Sequence, residues 1–405
     1  MGAAMLRRTT DETPGSAEDT LKAFDEMHRR TSTRRPSRIE AHVDPAQIAA
    51  AAAATAASMG PMWSSMSEVP SEAHQLPPTS EIRRMPSGAG MGSTRSLTPP
   101  QPQPQPGRSD TTRRNSQLVF AEKLHTTLVL DWDDTIFPTT WVREELDWRF
   151  PLRQQPGMRS GPRLEAITGY LAKHFVRAEE FLLDAARQSN VFIVTLAKRP
   201  WVEISMDRFM PELKEVMNQN KFKVIYAQEC ADQSAIARHF SKGTDDPEED
   251  IAFWSTIKGT AIAKELDEVH NREGISWKNV ISFGDSDFER YGTISAGQEY
   301  INRETKGGTL LNNGSTPEGV SKDGHVKRLR LKTVKMLDKP TILELTAELV
   351  LLKSWLPHII RRDSGFDLEI EGTDDDGQLV DLNRRVTGAE DPRLSWRELA
   401  GMLDE

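Results

Sequence analysis

The run Leu128-Val129-Leu130-Asp131-Trp132-Asp133-Asp134-Thr135 ends an apolar strand in two carboxylates spaced two residues apart. Strand periodicity places Asp131 and Asp133 on one side. There one carboxylate can attack phosphorus while the other handles the proton. The pair alone also fits a solvated acidic loop after a strand. Whether further functional groups arrive at neighbouring strand ends separates the two readings.

The elements that would deliver such groups begin at Val119. Leu124 to Asp131 reads as a buried strand, Leu164 to Gln188 as an amphipathic helix and Asn190 to Leu196 as a second strand. Met206 to Asn218 reads as a helix after Pro200, Phe222 to Ala227 as a third strand, Ile257 to His270 as a helix and Val280 to Phe283 as a fourth strand. A basic strand from Val326 to Met336 and a helix from Thr341 to Leu356, behind Pro340, complete the pattern. Continuous apolar strands alternating with helices predict an α/β three-layer sandwich, a mostly parallel sheet covered on both faces. The strand ends of such a sheet open on one crevice. Thr195 closes the second strand, Lys258 opens a helix in IKGTAIAKEL, and Gly284-Asp285-Ser286-Asp287-Phe288-Glu289 follows the fourth strand.

With these four elements in order, the segment from Leu124 to Arg290 resembles the haloacid dehalogenase (HAD) superfamily of phosphohydrolases, which carry a Rossmann-like sheet. Asp131, Asp133 and Thr135 match its first motif, D-x-D-x-T; Thr195 matches its second, Lys258 its third, and Gly284, Asp285 and Glu289 its fourth. Lys198, Lys264 and Lys278 compete for the lysine. Lys258 is preferred because Lys278 precedes the fourth strand, at the far edge, and Lys264 lies deeper in the helix.

The resemblance implies that Asp131 is the nucleophile and forms an aspartyl-phosphate. Asp133 is then the general acid and base, and Thr195 and Lys258 hold phosphoryl oxygens. It implies Mg2+ on Asp131, the main-chain carbonyl of Asp133 and Asp285, since all-oxygen ligands favour that ion. Glu289, with Asp287 as the alternative, would orient the metal's waters or Lys258.

The insert from Phe137 to about Arg163 is short and holds Pro138, Pro151, Pro156 and Pro162, a flap rather than a cap domain. An open site of this kind favours a bulky phosphoester such as a phosphoprotein over a small metabolite. A dehalogenase has no leaving oxygen for Asp133 to protonate, and a mutase needs a larger cap to exclude water. The rival from another class is a scaffold protein that keeps the fold and recruits partners through its N-terminal arm.

That arm, residues 1–117, contains 13 of the 24 prolines and only Phe24 and Trp63 as aromatic residues, too little to offset chain entropy. It reads as disordered, with a short helix begun by Asp44 and Pro45 and carried by the alanines from Ala49 to Ala54, and with a proline-glutamine spacer from Pro99 to Gly107. Arg7-Arg8-Thr9-Thr10, Arg29-Arg30-Thr31-Ser32, Arg34-Arg35-Pro36-Ser37 and Arg113-Arg114-Asn115-Ser116 each set two arginines before a hydroxyl, as in substrates of basic-directed protein kinases. The catalytic domain is placed at 118–362. Residues 363–405 read as an acidic tail ending in a short helix near Ser395 to Leu403.

The net charge is -9 and the arm holds 14 Lys and Arg against 12 Asp and Glu, so the folded part is acidic and poorly suited to nucleic acid. The basic strip Lys327 to Lys332 reads as a solvated strand face. The single cysteine, Cys230, excludes an internal disulfide and fits a reducing compartment, cytoplasm or nucleus. No run reaches the roughly 20 apolar residues of a membrane helix. Trp132 and Trp141 read as packing residues rather than stacking partners of a substrate. His174, His239 and His270 lack metal-ligand spacing, and Asp374 to Gly377 departs from a calcium loop.

Overall fold

The computed structural model describes residues 117–401, apart from 159–160, 244–245 and 374. The arm's expected helix and spacer and all four arginine-hydroxyl motifs lie outside the described residues. No helix among the described residues is long and apolar enough to cross a membrane.

Three strands with both faces apolar form the centre: β1 (Thr126–Leu130), β2 (Asn190–Thr195) and β4 (Asn279–Gly284). With β3 (Lys223–Tyr226), β8 (Arg330–Lys335) and β9 (Phe366–Glu369) they make a six-stranded, fully parallel sheet in the order β3-β2-β1-β4-β8-β9. Strand β9 buries Phe366 and Leu368 and leaves Asp367 and Glu369 half-exposed, the period of two expected at an edge. Residues beyond 362 therefore supply the sixth strand. They are not a separate tail, and the brevity of β9 hid it among acidic residues.

The α-helices among the described residues are α1 (Thr139–Glu145), α2 (Pro162–Gln188), α3 (Trp201–Phe209), α4 (Pro211–Asn220), α5 (Gln233–Lys242), α6 (Pro247–Glu273), α7 (Asp287–Glu304), α8 (Ile342–Arg361), α9 (Asp376–Thr387) and α10 (Trp396–Leu399). In α2, Ile167, Leu171, His174, Ala178, Phe181, Leu182 and Ala185 form the buried stripe of an amphipathic helix. Helix α2 packs on α8, joined by His174 to Thr346 and by Lys353 to Glu180, and α6 packs on α7. Side chains alternate along β8, with Leu331 against Gly297 of α7 and Lys332 on the carbonyls ending α8, so these two helices cover opposite faces. The crossovers through α7 and α8 step the same way across the sheet on opposite faces. They have opposite hands, so one departs from the right-handed rule.

Three expected elements differ. The helix expected from Met206 to Asn218 is two helices, divided at Met210 because Pro211 starts a new first turn. The helix expected from Ile257 begins ten residues earlier, at Pro247, where the N-cap Asp246 accepts the Glu248 N–H, and α5 was not anticipated. The basic strand is split at Leu329: β7 (Val326–Arg328) joins β5 (Thr309–Asn312) and β6 (Glu318–Val320) in a small antiparallel sheet, while β8 enters the main sheet. Arg330 and Lys332 are therefore 2 % and 0 % exposed, not a solvated face.

Candidate active site

The sheet order reverses between β1 and β4: from β1 the chain proceeds outward through β2 and β3, then returns to the other side of β1. Ligand crevices of open parallel sheets form at this switch point. Leu130 is in register with Phe283, and the Asp131 N–H donates to the Phe283 carbonyl at 3.0 Å, so Asp131 and Asp285 leave adjacent strand ends side by side. Carboxylate oxygens of Asp131, Asp285 and Glu289 lie within 4.8 Å of one another.

Lys258, 1 % exposed, comes to this cluster from the middle of α6. Its Nζ stands 2.9 Å from Asp131 Oδ1, off the line of a good hydrogen bond, and donates to Glu289 Oε1. Glu289 belongs to the capping box of α7, where its Oε2 accepts from the Ser286 N–H at 3.2 Å. Gly284 makes this possible, because a Cβ there would lie 2.6 Å from Glu289 Cγ. Asp287 turns to Arg290 at 3.4 Å, so Glu289 is the one that meets the lysine. Of the competing lysines, Lys264 is exposed and Lys278 bonds Ser276 and His125 at the opposite edge of the sheet.

Asp133 takes a different course from the trio. Its Oδ1 accepts from Thr139 Oγ1 and Trp201 Nε1, both at 2.6 Å, and its Oδ2 from Thr195 Oγ1 at 3.1 Å. Thr195 also accepts the Ala197 N–H at 2.9 Å, so its hydroxyl orients Asp133 rather than standing free for a phosphoryl oxygen. Thr139 and Trp201 were not anticipated; Pro138 and Pro200, each just before one of them, were the available signals. Asp134 holds the turn between β1 and α1 in a left-handed conformation, φ 50°, and its carboxylate accepts from the Thr140 N–H at 2.9 Å and hydroxyl at 2.5 Å. Trp132 is buried, its indole N–H on Ser205 Oγ at 3.0 Å, and is a packing residue.

Burial pushes the Asp131 carboxyl up; Lys258 pulls it down, and the Asp133 charge raises it again. Asp285 is held well above the usual carboxylate range by desolvation and then by the Asp131 and Asp134 charges. Asp133 is raised by burial against the pull of its three hydrogen-bond donors. Mutual repulsion of this kind is relieved by a cation. Asp131 Oδ1, buried without a well-aligned hydrogen bond, offers a ligand atom in an all-oxygen set. The residues therefore fit a hard divalent cation between Asp131 and Asp285. No family model matches the chain, and neither the curated proteins nor the solved structures compared with it gave a match.

Proposed function

We propose that the protein is a magnesium-dependent phosphomonoester hydrolase of the HAD type, acting through an aspartyl-phosphate on phosphoproteins or other bulky phosphoesters. The observation that carries this reading is the placement of Asp131 and Asp285 at the switch point of a parallel sheet, with Lys258 buried against Asp131. Asp131 attacks phosphorus, forming an O–P bond as the ester O–P bond breaks. Asp133, steadied by Thr139, Thr195 and Trp201, gives its proton to the departing alcohol oxygen. Water then attacks the phosphorus of the acyl phosphate, losing its proton to Asp133, and the bond to Asp131 breaks to release inorganic phosphate.

Lys258 places a positive charge beside the nucleophile, and Glu289 fixes its direction. Magnesium, held by Asp131, the main-chain carbonyl of Asp133 and Asp285, would screen the phosphate from these carboxylates. The substrate class rests on the short insert between β1 and α2, which among its described residues contributes only the seven-residue helix α1 as a regular element of any length. Hydrolysis of p-nitrophenyl phosphate with Mg2+ tests the reading. The Asp131→Asn protein is expected to fold as the wild type does and to lose turnover by at least a thousandfold. Full turnover by that variant excludes the mechanism, and an inert wild-type protein turns the reading to a scaffold that keeps the fold.

A further inference from the structure

Trp201, the first residue of α3, lies 68 residues from Asp133 in the chain and turns its indole N–H onto that carboxylate. An ionised carboxylate offers about four lone-pair sites, two on each oxygen. At Asp133 they are filled unevenly. Oδ1 accepts from Trp201 Nε1 and from Thr139 Oγ1, both at 2.6 Å, which commits both of its sites. Among the described residues Oδ2 accepts from Thr195 Oγ1 alone, at 3.1 Å, so one of its sites stays open.

The three donors differ in what else they can do. An indole N–H donates and cannot accept, so a proton on Oδ1 would face another hydrogen across 2.6 Å. Thr139 can turn its hydroxyl only to the Phe137 carbonyl, a weak acceptor at 3.5 Å. Thr195 is directed by the Ala197 N–H, which donates to its oxygen at 2.9 Å and leaves the hydroxyl hydrogen for Oδ2. The indole itself is held in place. Trp201 is 2 % exposed, its ring meets that of Phe137 edge-on with centroids 6.1 Å apart, and its main-chain N–H donates to the Lys198 carbonyl at 3.0 Å.

We infer that Trp201 is a positioning residue for proton transfer: by occupying Oδ1 of Asp133 it confines the transferable proton to Oδ2, the oxygen with an open site. The inference rests on the phosphatase reading, with Asp131 as nucleophile and Asp133 as acid. As the Asp131 oxygen bonds to phosphorus and the ester O–P bond breaks, the electron pair of that bond passes to the alcohol oxygen, which takes the Oδ2 proton. Asp133 is left as the carboxylate that its three donors stabilise. In the second step water attacks phosphorus and its proton returns to Oδ2. Trp201 thereby bears on which esters are cleaved. A basic leaving oxygen, such as that of phosphoserine, departs only as it is protonated, whereas p-nitrophenolate leaves with little need of a proton. The residue favours the first kind.

The test measures kcat/KM of the full chain with Mg2+ on phenyl phosphate and on p-nitrophenyl phosphate, because kcat/KM covers the step in which the leaving group departs. Trp201→Phe is expected to lose on the order of tenfold more on phenyl phosphate than on p-nitrophenyl phosphate, a part of the roughly hundred- to ten-thousandfold that a positioned acid supplies. Thr139→Val, which removes the other donor to Oδ1, is expected to shift this ratio in the same direction, and Thr139→Ser, which keeps a hydroxyl, to restore it. In Asp133→Asn protein the shift caused by Trp201→Phe is expected to vanish, since no proton is left to place. Equal losses on the two esters mark Trp201 as a packing residue and overturn the inference, as does a shift of the same size in the Asp133→Asn protein. Should Trp201→Phe fail to fold, an unmoved ratio in Thr139→Val overturns it. A wild-type protein inert on both esters removes the phosphatase reading and the inference with it, an outcome distinct from equal losses in variants of an active enzyme.

Discussion

Lys258 is almost wholly buried, and an ammonium in that position is tolerated only where carboxylates answer it. Asp131 and Glu289 do so, and the lysine in turn makes their proximity to Asp285 bearable. Lys258→Met is therefore expected to cost about 3–5 kcal/mol, the usual range for breaking a buried pair. The loss should be larger at pH 8 than at pH 5: without the lysine the carboxyls of the folded protein rise further above their unfolded values, and stability held by their protons is lost as pH increases. Urea titrations at both pH values check this, and equal losses would show that the ion pair carries no such energy. Asp133→Asn separates proton transfer from cation binding, because the Asp133 side chain lies outside the carboxylate trio. Turnover should fall roughly a hundred- to ten-thousandfold, while thermal stabilisation by Mg2+ stays as in the wild type. Asp131 and Asp285 were legible because each stands in a motif at a strand end, and Lys258 because it was the lysine preferred in the helix that precedes the fourth strand. Thr139 and Trp201 were not, since hydrogen bonds to Asp133 over 6 and 68 residues leave no local pattern.

At the scale of elements, the crossing of α6 and α7 decides whether Lys258 and Glu289 meet. The helices touch through Gly259 and Gly292: a Cβ on Gly259 would lie 2.8 Å from the Gly292 carbonyl oxygen, and one on Gly292 would lie 2.8 Å from the Ser255 carbonyl oxygen. Backbone cannot yield as a side-chain tip does. Gly292→Ala should therefore separate the helices, cost about 1–3 kcal/mol by overpacking and weaken the stabilisation given by Mg2+. Gly169→Ala, on the exposed face of α2 with nothing within 4 Å of the added methyl, should instead be neutral or stabilising by up to about 1 kcal/mol. Thermal melts of both variants with and without Mg2+ distinguish a helix-crossing requirement from a general intolerance of alanine. Strands β1, β2 and β4 were readable because interior strands of a parallel sheet are apolar on both faces. Strand β8 was read too long because Arg330 and Lys332 disguise a buried strand, and α6 too short because the start signal at Asp246-Pro247 lies ten residues before the apolar run.

Across the whole molecule, acidic groups collect at the strand ends of the crevice and basic groups at the opposite edge, a polarity that composition alone conceals. Behind the crevice lies Glu348 of α8, fully buried, with Oε1 accepting the Leu337 N–H at 2.9 Å and Oε2 without a partner. Burial, with the nearby Glu344 and Asp134 charges adding to it, raises its carboxyl to about 8. The folded protein thus keeps a proton that the unfolded chain releases near 4.5, so this group's contribution is present at low pH and is lost as pH climbs from about 4.5 to about 8. Asp134, raised to about 7 chiefly by burial, acts in the same direction. His174, lowered to about 4 by burial, opposes them below 6.5, and Lys332, lowered to about 7 by burial, opposes them above 7. Because these signs cancel in part, the wild-type curve alone cannot isolate Glu348, and the comparison must be with Glu348→Gln, which retains an acceptor for Leu337 but no titrating proton. Between pH 5 and pH 8 the variant should gain on the wild type by roughly 3–4 kcal/mol, measured by urea denaturation across that range. Parallel curves would mean that Glu348 ionises in the folded state as it does in the unfolded one, and that the acidic end of the sheet is better solvated than its burial implies.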